Sequence, residues 1–451
     1  MSKTNKNTMD MTHGTLWNKI LIFALPLAAS SILQQLFNSI DTAVVGRFAS
    51  SQALAAVGSN SSLIALMINL FIGISLGSNV VIAHYIGQRS EKNIQAAIHT
   101  AIVVALVSGI FVMIFGQFIA KPVLSLMGTP DDVIDLAVVY LRIYLLGMPF
   151  IMLYDFGSSI LRSTGDSRRP LYSLIVAGVI NTVLNLVLVI GFQNGAFSGV
   201  AIGHCYIQIW SVQALIVYIL THESAPIRLE FRKLAVAPAE LKKILVIGVP
   251  AGIQGMMFSI ANVCIQSAIN SFGSDAIAGS AAALNYEYFT YYVINAFNQT
   301  TVTFTSQNYG AKKLERCKKA FRLCLVWGMA ITGIMSVIFV LFKEFFAGVY
   351  TADPQAVDYA VIRMVHVLLL EFLTGTYEIS GGAMRGMGYS LVPALLTVVG
   401  CCGFRVAWLY TVFKICPTFS MLMNVYPATW VITGTLVMGA YLIIRKRVSD
   451  K

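Results

Sequence analysis

The sequence predicts an all-α membrane protein with twelve transmembrane helices in two repeated six-helix bundles. Composition, apolar segments of membrane-spanning length and an internal repeat lead to this fold class. Hydrophobic residues make up 57% of the 451-residue chain and charged residues 11%, whereas a soluble domain carries about 25% charged residues. Such an apolar chain suits a bilayer, in which each spanning helix needs about 20 mostly apolar residues.

Twelve apolar segments are long enough to cross a bilayer as helices. The first is too long for the apolar region of a signal peptide and lacks a small-residue cleavage site, so we expect it to be retained. The segments lie at 18–40, 55–80, 97–118, 133–155, 170–191, 199–220, 243–264, 277–302, 322–343, 357–380, 391–413 and 425–444.

Basic residues are distributed unevenly among the predicted loops. With the N-terminus in the cytoplasm, 24 of the 31 Lys and Arg fall on the cytoplasmic side, 4 on the outer side and 3 within spans. This asymmetry follows the positive-inside rule. It predicts a multi-pass protein of the cell inner (plasma) membrane with both termini in the cytoplasm. The net charge of +11 is therefore attributed to topology and lipid contact, and not to nucleic-acid binding.

Three segments of the first half recur in the second half, in the same order and at a nearly constant offset. KILIFALP, which ends at Pro26, returns as KILVIGVP, which ends at Pro250. HYIGQRSEK and LRSTGDSRRP likewise return as QNYGAKKLE and MRGMGYSLVP. A duplication predicts lobes at 1–221 and 243–451 joined by a cytoplasmic linker at 222–242. Six helices in each lobe give both lobes the same orientation in the membrane.

Several of these segments carry a family resemblance. ALPLAASSILQQLFNSIDTAVVGR at 24–47, LRSTGDSRRP at 161–170 and FTSQNYGAKKLER at 304–316 resemble the multidrug and toxic compound extrusion (MATE) family, in its bacterial DinF-like type. INTVLNLVLVIGF at 180–192 also matches. The resemblance implies the fold of the multidrug/oligosaccharidyl-lipid/polysaccharide flippase superfamily. It also implies export of organic, often cationic, compounds against proton or sodium entry.

Asp41 is the strongest candidate for ion coupling. On a helix, Gln34, Asn38 and Asp41 lie within one sector of about 80°. A polar stripe of this kind is expected to line a cavity rather than to face lipid. The alternative is a hydrogen-bonded structural carboxylate near the outer interface. The resemblance favours ion coupling, with Gln34 and Asn38 on the wall of a substrate cavity.

The resemblance extends the ion site to helices five and six, at Asn181, Asn185 and His204. Asn181 keeps the amide expected there, whereas Asn185 replaces a carboxylate and His204 replaces a hydroxyl residue. The missing carboxylate weakens a sodium site near Asp41, and the histidine adds a group that titrates near neutral pH. Protons are therefore favoured over Na⁺ as the coupling ion. A packed, hydrogen-bonding His204 is the alternative.

The second half carries two further sets of polar residues within spans. Glu287, Tyr291 and Asn295 share one face of helix eight, where an acid among tyrosines suits an organic cation through cation–π attraction of about 0.5–2 kcal/mol. The alternative is an interfacial aromatic belt with an exposed glutamate. Glu371 and His366 are candidates for a proton relay in this half.

The remaining charged residues within spans are interpreted as structural. Asp155 and Glu378 occupy equivalent positions of the repeat, and each is expected to pair with a basic residue. Arg142 and Arg363 are expected to pair locally or to extend to the surface. The repeated prolines permit kinks, and bending of the first helix is a hypothesis for the coupling motion.

A secondary transporter is the function that the sequence favours. It has no G-x-x-x-x-G-K-[ST] loop for ATP, no H-E-x-x-H or G-x-S-x-G motif for an enzyme, and no C-x-x-C pair for a metal. No cofactor is expected beyond the coupling H⁺ or Na⁺. The main alternative is a flippase for lipids or lipid-linked saccharides, against which Asp41 and Glu287 argue. Small organic molecules and the bilayer are the expected partners, and a monomer suffices for the mechanism.

Overall fold

The computed structural model describes most of the chain as helical. It describes residues 8–48, 51–127, 129, 131–191, 215–351 and 353–450. Within these ranges, the side chains at 38–48, 51–59, 61–62, 131–132, 181–182 and 184–191 lie outside the description. No β-strand occurs in the described ranges.

In the first half, long helices coincide with the predicted apolar segments. The helices are α1 (Leu16–Phe48), α2 (Ser51–Gln88), α3 (Glu91–Leu126), α4 (Asp131–Leu146), α5 (Met148–Ser163) and α6 (Arg168–Gly191). A helical stretch at 215–221 follows, so most of the predicted segment 199–220 lies outside the described residues. A short 3₁₀ turn at Phe231–Lys233 interrupts the linker.

The second half repeats this order with more interruptions. Its helices are α7 (Pro238–Asn270), α8 (Ser274–Gly310), α9 (Leu314–Leu341), α10 (Lys343–Tyr350), α11 (Pro354–His366), α12 (Thr374–Gly386), α13 (Leu391–Thr397), α14 (Phe404–Tyr410), α15 (Val412–Ile415), α16 (Phe419–Met423) and α17 (Val425–Ser449). A 3₁₀ segment, Leu368–Leu373, joins α11 to α12, and a π-helical segment, Val398–Gly403, joins α13 to α14.

Two predicted spans are broken instead of straight, and they are equivalent in the repeat. In the span predicted at 133–155, the axis bends by 46° between Leu146 and Met148. The equivalent span at 357–380 breaks at Leu368–Leu373. Among the described residues, seven helices, or eight if the bent pair counts as one, are long and apolar enough to cross a membrane. A break at the same place in both halves agrees with their common origin.

The described contacts divide the chain into two compact units. Of the described residues, those up to Met9 and those from Ala29 to Gly248 form the first unit, and those from Asp10 to Ala28 and from Val249 onwards form the second. These units differ from the predicted lobes, because the first turns of α1 pack with the second unit and the first turns of α7 pack with the first unit. Of the three divisions along the chain, the one after Ala28 and the one after Gly248 fall within two residues of a repeated proline, Pro26 or Pro250. The linker is also shorter than predicted, since α7 begins at Pro238.

In the first unit, the linker is tied to neighbouring helices by hydrogen bonds. The backbone N–H of Glu230 donates to the His99 Nε2 atom at 3.3 Å, and that of Ala237 donates to the Thr100 hydroxyl at 3.0 Å. The Tyr85 hydroxyl donates to the Glu240 carboxylate at 2.6 Å. These contacts hold the segment before α7 against α2 and α3.

In the second unit, the segment before α1 is anchored by side chains of α8 and α9. Met11 is fully buried, and its carbonyl accepts hydrogen bonds from Asn308 and Arg316. Partial burial acts to raise the pKa of Asp10, but hydrogen bonds from Thr12 and the neighbouring His13 outweigh it and lower that pKa to about 2. This segment fixes the start of α1 on the second unit.

Glycines allow α2 and the first turns of α7 to approach closely within the first unit. A Cβ atom on Gly77 would lie 2.3 Å from the carbonyl oxygen of Ile244, and one on Gly248 would lie 2.6 Å from the Cα atom of Ile74. Small residues at such crossings let helix backbones pack directly in membranes. The start of α7 therefore depends on these glycines for its place in the first unit.

Gly77→Ala is expected to lower stability, because the added methyl group meets backbone that cannot move out of its way. Overpacking of this kind costs about 1–3 kcal/mol. Gly439→Ala in α17 is the matched control, since a Cβ there meets nothing within 4 Å. That control is expected to gain about 0.5–1 kcal/mol from helix propensity. Thermal unfolding of the two purified variants tests the difference; equal Tm values would contradict the close packing.

Candidate functional site

A buried ion pair joins α8 to α11 in the second unit. The Arg363 guanidinium donates from Nε to Oε1 of Glu287 at 2.6 Å and from Nη2 to Oε2 at 2.8 Å. Its third nitrogen, Nη1, donates to the Ser280 hydroxyl at 2.5 Å. The two charged side chains are 3% and 7% exposed. This two-point geometry is the strongest form of an arginine–carboxylate contact.

Glu371 lies beside this ion pair on the 3₁₀ segment between α11 and α12. Its carboxylate accepts a hydrogen bond from the Thr290 hydroxyl, one turn after Glu287 on α8. The charges of Glu287 and Arg363 act on it, but the guanidinium hydrogen-bonds only Glu287 and Ser280 among the described residues. Two buried carboxylates therefore share one cation. We call Glu287, Thr290, Arg363 and Glu371 the acidic cluster.

The two residues predicted to form a relay in this half have separate partners. Glu371 accepts from Thr290, whereas His366 Nδ1 contacts the Asn424 side-chain oxygen at 2.7 Å. His366 is the last residue of α11, just before the break in the span. Glu371 lies within the 3₁₀ segment that forms the break. The structure therefore gives each residue its own hydrogen bond and shows no direct bond between them.

The predicted substrate face of α8 is partly buried. Tyr291 and Asn295 are half-buried, and Asn295 accepts a hydrogen bond from Gln299 at 3.0 Å. Glu287 is buried, so the alternative of an exposed interfacial glutamate does not describe it. The Arg363 guanidinium is the counter-charge of the Glu287 carboxylate, and a substrate cation at this position would compete with that guanidinium.

Glu378 and Arg385 carry a second set of buried charges on α12. Glu378 accepts from the Asn298 amide at 2.9 Å, and Arg385 donates to the Gln254 side-chain oxygen at 2.6 Å. The two charges act on each other without a direct hydrogen bond. In the first unit, the charges of Asp155 and Arg162 likewise act on each other. The predicted structural pairing therefore takes the form of charges two helical turns apart.

Arg405 is a third buried cation of the second unit, at the start of α14. It is 4% exposed and donates to the Asn262 side-chain oxygen at 2.9 Å. The guanidinium carbon lies 4.6 Å from the ring centre of Tyr426 and 5.8 Å from that of Phe258. Among the described residues, no carboxylate is bonded to Arg405, and its Nε has no acceptor.

Most of the predicted ion site of the first half lies outside the described residues. Asp41 belongs to α1, and Asn181 and Asn185 belong to α6, but the description does not include their side chains. His204 lies outside it altogether. The ion site at these four residues stays a prediction. The side chain of Asn38, predicted on the wall of the substrate cavity, also lies outside the description.

Of the predicted first-helix stripe, only Gln34 has a described side chain, and it is exposed. A polar side chain exposed on a span is consistent with the wall of a wet cavity.

Sequence reasoning missed the partners that define the acidic cluster. Thr290 follows Glu287 by three residues, so helical spacing places both on one face. Arg363 lies 76 residues from Glu287, and the pairing of α8 with α11 could be obtained only from the tertiary structure. The bond between Asn262 and Arg405 spans 143 residues and likewise has no local signal in the sequence.

Comparison with known proteins shows the family. The sequence model of the MatE family matches residues 26–187 and 250–411. The chain belongs to the MatE family. The two matches begin at the repeated prolines, Pro26 and Pro250, which confirms the duplication that the recurring segments predicted.

Curated and solved MatE-type proteins match over nearly the whole chain. The "Probable multidrug resistance protein YoeA" of Bacillus subtilis is 27% identical over 98% of this chain and 96% of its own length. A crystal structure described as "MATE in complex with MaL6" has a TM-score of 0.92 at 19% identity, covering 99% of this chain and all of the other. One described as "MATE in the straight conformation" has a TM-score of 0.88 at 21% identity and 99% coverage of both chains.

These matches settle the class of protein. The predicted all-helical membrane fold with two repeated halves is confirmed, and the MatE chain is a multi-pass membrane transporter. Family membership also excludes the membrane-embedded enzyme as a function. The DinF-like type within the family stays a prediction.

Proposed function

We propose that this MatE transporter exports small organic compounds from the cell by antiport, with protons as the coupling ion. Its two halves alternate access to the two sides of the inner (plasma) membrane, and both termini lie in the cytoplasm. The name of the Bacillus subtilis relative, a probable multidrug resistance protein, supports organic drugs as cargo. The positive-inside charge pattern supports the orientation.

The burial of Glu371 without a counter-charge of its own in the described part of the chain is the observation that most directly supports proton coupling. Glu371 is buried beside a guanidinium that already holds Glu287 at two points. Holding a second ionised carboxylate in this interior is costly without a counter-charge. A proton supplies that counter-charge on the carboxylate itself, with no shell of further ligands. We therefore propose that Glu371 alternates between a protonated and an ionised state during transport.

Asp41 is proposed as the second coupling acid, in the first half, with Asn181, Asn185 and His204 as its neighbours. The MATE resemblance and the polar stripe of α1 support this role. The lost carboxylate at Asn185 and the added His204 favour protons over Na⁺. The wall of the substrate cavity is proposed to include Gln34, Asn38, Tyr291 and Asn295, with Glu287 acting together with Arg363.

Ethidium movement in liposomes under an imposed gradient tests the proposal. Vesicles with trapped DNA report ethidium entry by fluorescence. We expect uptake into inside-acidic vesicles, none under a sodium gradient alone, and a loss of at least about tenfold in Asp41→Asn. Asp135→Asn is the matched control, because that carboxylate is 86% exposed and its ion-pair partner in the described part of the chain is the exposed Lys121.

The other outcomes separate the alternatives. Drive by sodium alone would reject proton coupling and require a sodium site built without the carboxylate missing at Asn185. No movement of ethidium under either gradient would reject multidrug antiport and favour the flippase for lipids or lipid-linked saccharides.

A further inference from the structure

Arg405 is the one cation in the described interior of the second unit that has neither a carboxylate partner nor a neighbouring acid on its own helix. Arg363 is held by Glu287, and Arg385 is under the influence of Glu378. The one hydrogen-bond acceptor that Arg405 has among the described residues is the amide oxygen of Asn262. A buried guanidinium is always charged, and its isolation in a membrane span is costly unless it serves a ligand.

The surroundings of Arg405 are built for a planar group. Tyr426 lies face-on at 4.6 Å from the guanidinium carbon, and Phe258 lies at 5.8 Å on α7. Phe258 is half-buried and Tyr426 is 8% exposed. Aromatic faces of this kind stack with other rings as well as with the guanidinium. The site therefore offers the fixed positive charge of Arg405 between two aromatic rings. The Arg363 guanidinium also lies over the Tyr426 ring, at 5.5 Å, and adds to the positive potential there.

Arg405 can be reached from an exposed face of the same unit. Asn262, which accepts its hydrogen bond, is exposed on α7, as are Gln266 and Asn270 on the same face, one and two turns further on. Exposed amides on a membrane span require water or a ligand, because lipid tails cannot hydrogen-bond with them. The Nε–H of Arg405 still lacks an acceptor among the described residues.

The backbone around Arg405 is also irregular. The π-helical segment Val398–Gly403 ends two residues before it. π-Helical turns are rare within α-helices and occur frequently at functional sites. Gly400 in this segment packs so closely on α17 that a Cβ would lie 2.5 Å from the Thr433 hydroxyl. Packing on α17 therefore fixes the π-helical segment, and this segment fixes the position of Arg405.

We propose that Arg405 and Asn262 bind the anionic group of an aromatic substrate, with Phe258 and Tyr426 holding its ring. The guanidinium has donors in the planar arrangement that matches a carboxylate, sulfonate or phosphate. This inference rests on the proposed export function and adds a substrate class to it. Besides the organic cations of that function, the second unit accepts aromatic anions and zwitterions.

Binding of three matched naphthalene compounds tests the inference. Naphthalene-2-sulfonate, naphthalene-2-methanol and naphthalene-2-methylammonium are titrated by calorimetry into the protein in nanodiscs, with empty nanodiscs as the blank. The sulfonate is expected to bind at least about tenfold tighter than either of the other two, because a charge-assisted hydrogen bond contributes that much. Equal affinities for the three compounds would overturn the inference.

Asn262→Asp is the decisive variant. It leaves Arg405 in place and supplies the carboxylate that the guanidinium lacks, so the fold does not lose a buried partner. Sulfonate affinity is expected to fall at least about tenfold. Arg405→Gln is expected to do the same if it folds. Arg445→Gln is the matched control, because Arg445 also lies over a tyrosine, Tyr441, at 5.8 Å, but at the end of α17.

The inference and the proposed function can fail separately. If Asn262→Asp and Arg445→Gln both bind the sulfonate as tightly as the wild type does, the anion site is overturned, whatever the transport result. Ethidium transport that fails in wild-type vesicles would overturn drug antiport, while selective sulfonate binding would still support the site at Arg405.

Discussion

Replacing Glu287 by glutamine is expected to produce the largest loss of stability of any single substitution in the acidic cluster. The change leaves the Arg363 guanidinium buried without its carboxylate, and breaking a buried ion pair from one side costs about 3–5 kcal/mol. Arg363 is 2% exposed, so water does not replace the lost partner. Glu371, which is held by Thr290, does not hydrogen-bond the guanidinium. Thermal unfolding of the purified protein in detergent measures the effect.

Glu371→Gln is the control for the same measurement. The glutamine amide keeps the size of the side chain and an oxygen that accepts from Thr290. No buried cation loses its hydrogen-bonded partner, so Tm is expected to stay close to that of the wild type. Joint replacement of Glu287 and Arg363 by methionine is expected to restore most of the stability lost in Glu287→Gln. A Glu287→Gln protein as stable as Glu371→Gln would contradict the ion-pair geometry.

The second large effect concerns transport. Glu371→Gln is expected to reduce proton-driven ethidium uptake at least about tenfold, because an amide cannot take up and release the proton that neutralises the buried carboxylate. Glu344→Gln makes the same chemical change at an exposed residue of α10 and is expected to leave the rate unchanged. Initial rates in inside-acidic vesicles provide the comparison. A Glu371→Gln rate within about twofold of the control would remove Glu371 from the coupling mechanism.

Taken together, these two substitutions assign different roles to two acids of one cluster. Glu287 is expected to matter for stability and Glu371 for transport. The assignment follows from the partners: Glu287 has a guanidinium at two points, whereas the only donor to the Glu371 carboxylate among the described residues is a hydroxyl. A purely structural Glu371 would alter Tm and leave the proton dependence of transport intact, which is the reverse of the expected pattern.

Apolar segment length and the repeat predicted the helices well. The segments at 243–264 and 277–302 lie within α7 and α8, because the hydropathy of a membrane span is a local property of the sequence. The break at Leu368–Leu373 was not predicted, since Leu-Leu-Leu-Glu-Phe-Leu contains neither proline nor glycine. Packing within the second unit, and not local propensity, must therefore favour the 3₁₀ geometry there.

The division into units shows a similar limit. The duplicated segments correctly indicated two halves, but a linear division of the chain placed all of α1 in the first lobe. Its first turns pack with the second unit, where Phe23 meets Phe304 edge-on at 5.8 Å. An apolar helix surface indicates that a residue is buried and does not indicate which neighbour buries it.

Charged residues within spans were recognised individually and pairing was expected for some of them, but the partner of Glu287 was not identified. Glu287 drew attention as an acid among tyrosines, and this environment suggested an organic cation. The observed partner, Arg363, comes from another span, and a single sequence has no local pattern that joins the two. Arg405 is one of the three basic residues counted within spans, but the absence of a carboxylate bonded to it among the described residues could be seen only in three dimensions.

Direct detection of proton exchange tests the central claim of proton-coupled antiport. Vesicles that contain the pH dye pyranine receive ethidium on the outside with no imposed gradient. If each ethidium entry exchanges for protons, the vesicle lumen becomes alkaline, and Asp41→Asn and Glu371→Gln each abolish the change. Ethidium entry at the wild-type rate without a change in lumenal pH would contradict proton antiport.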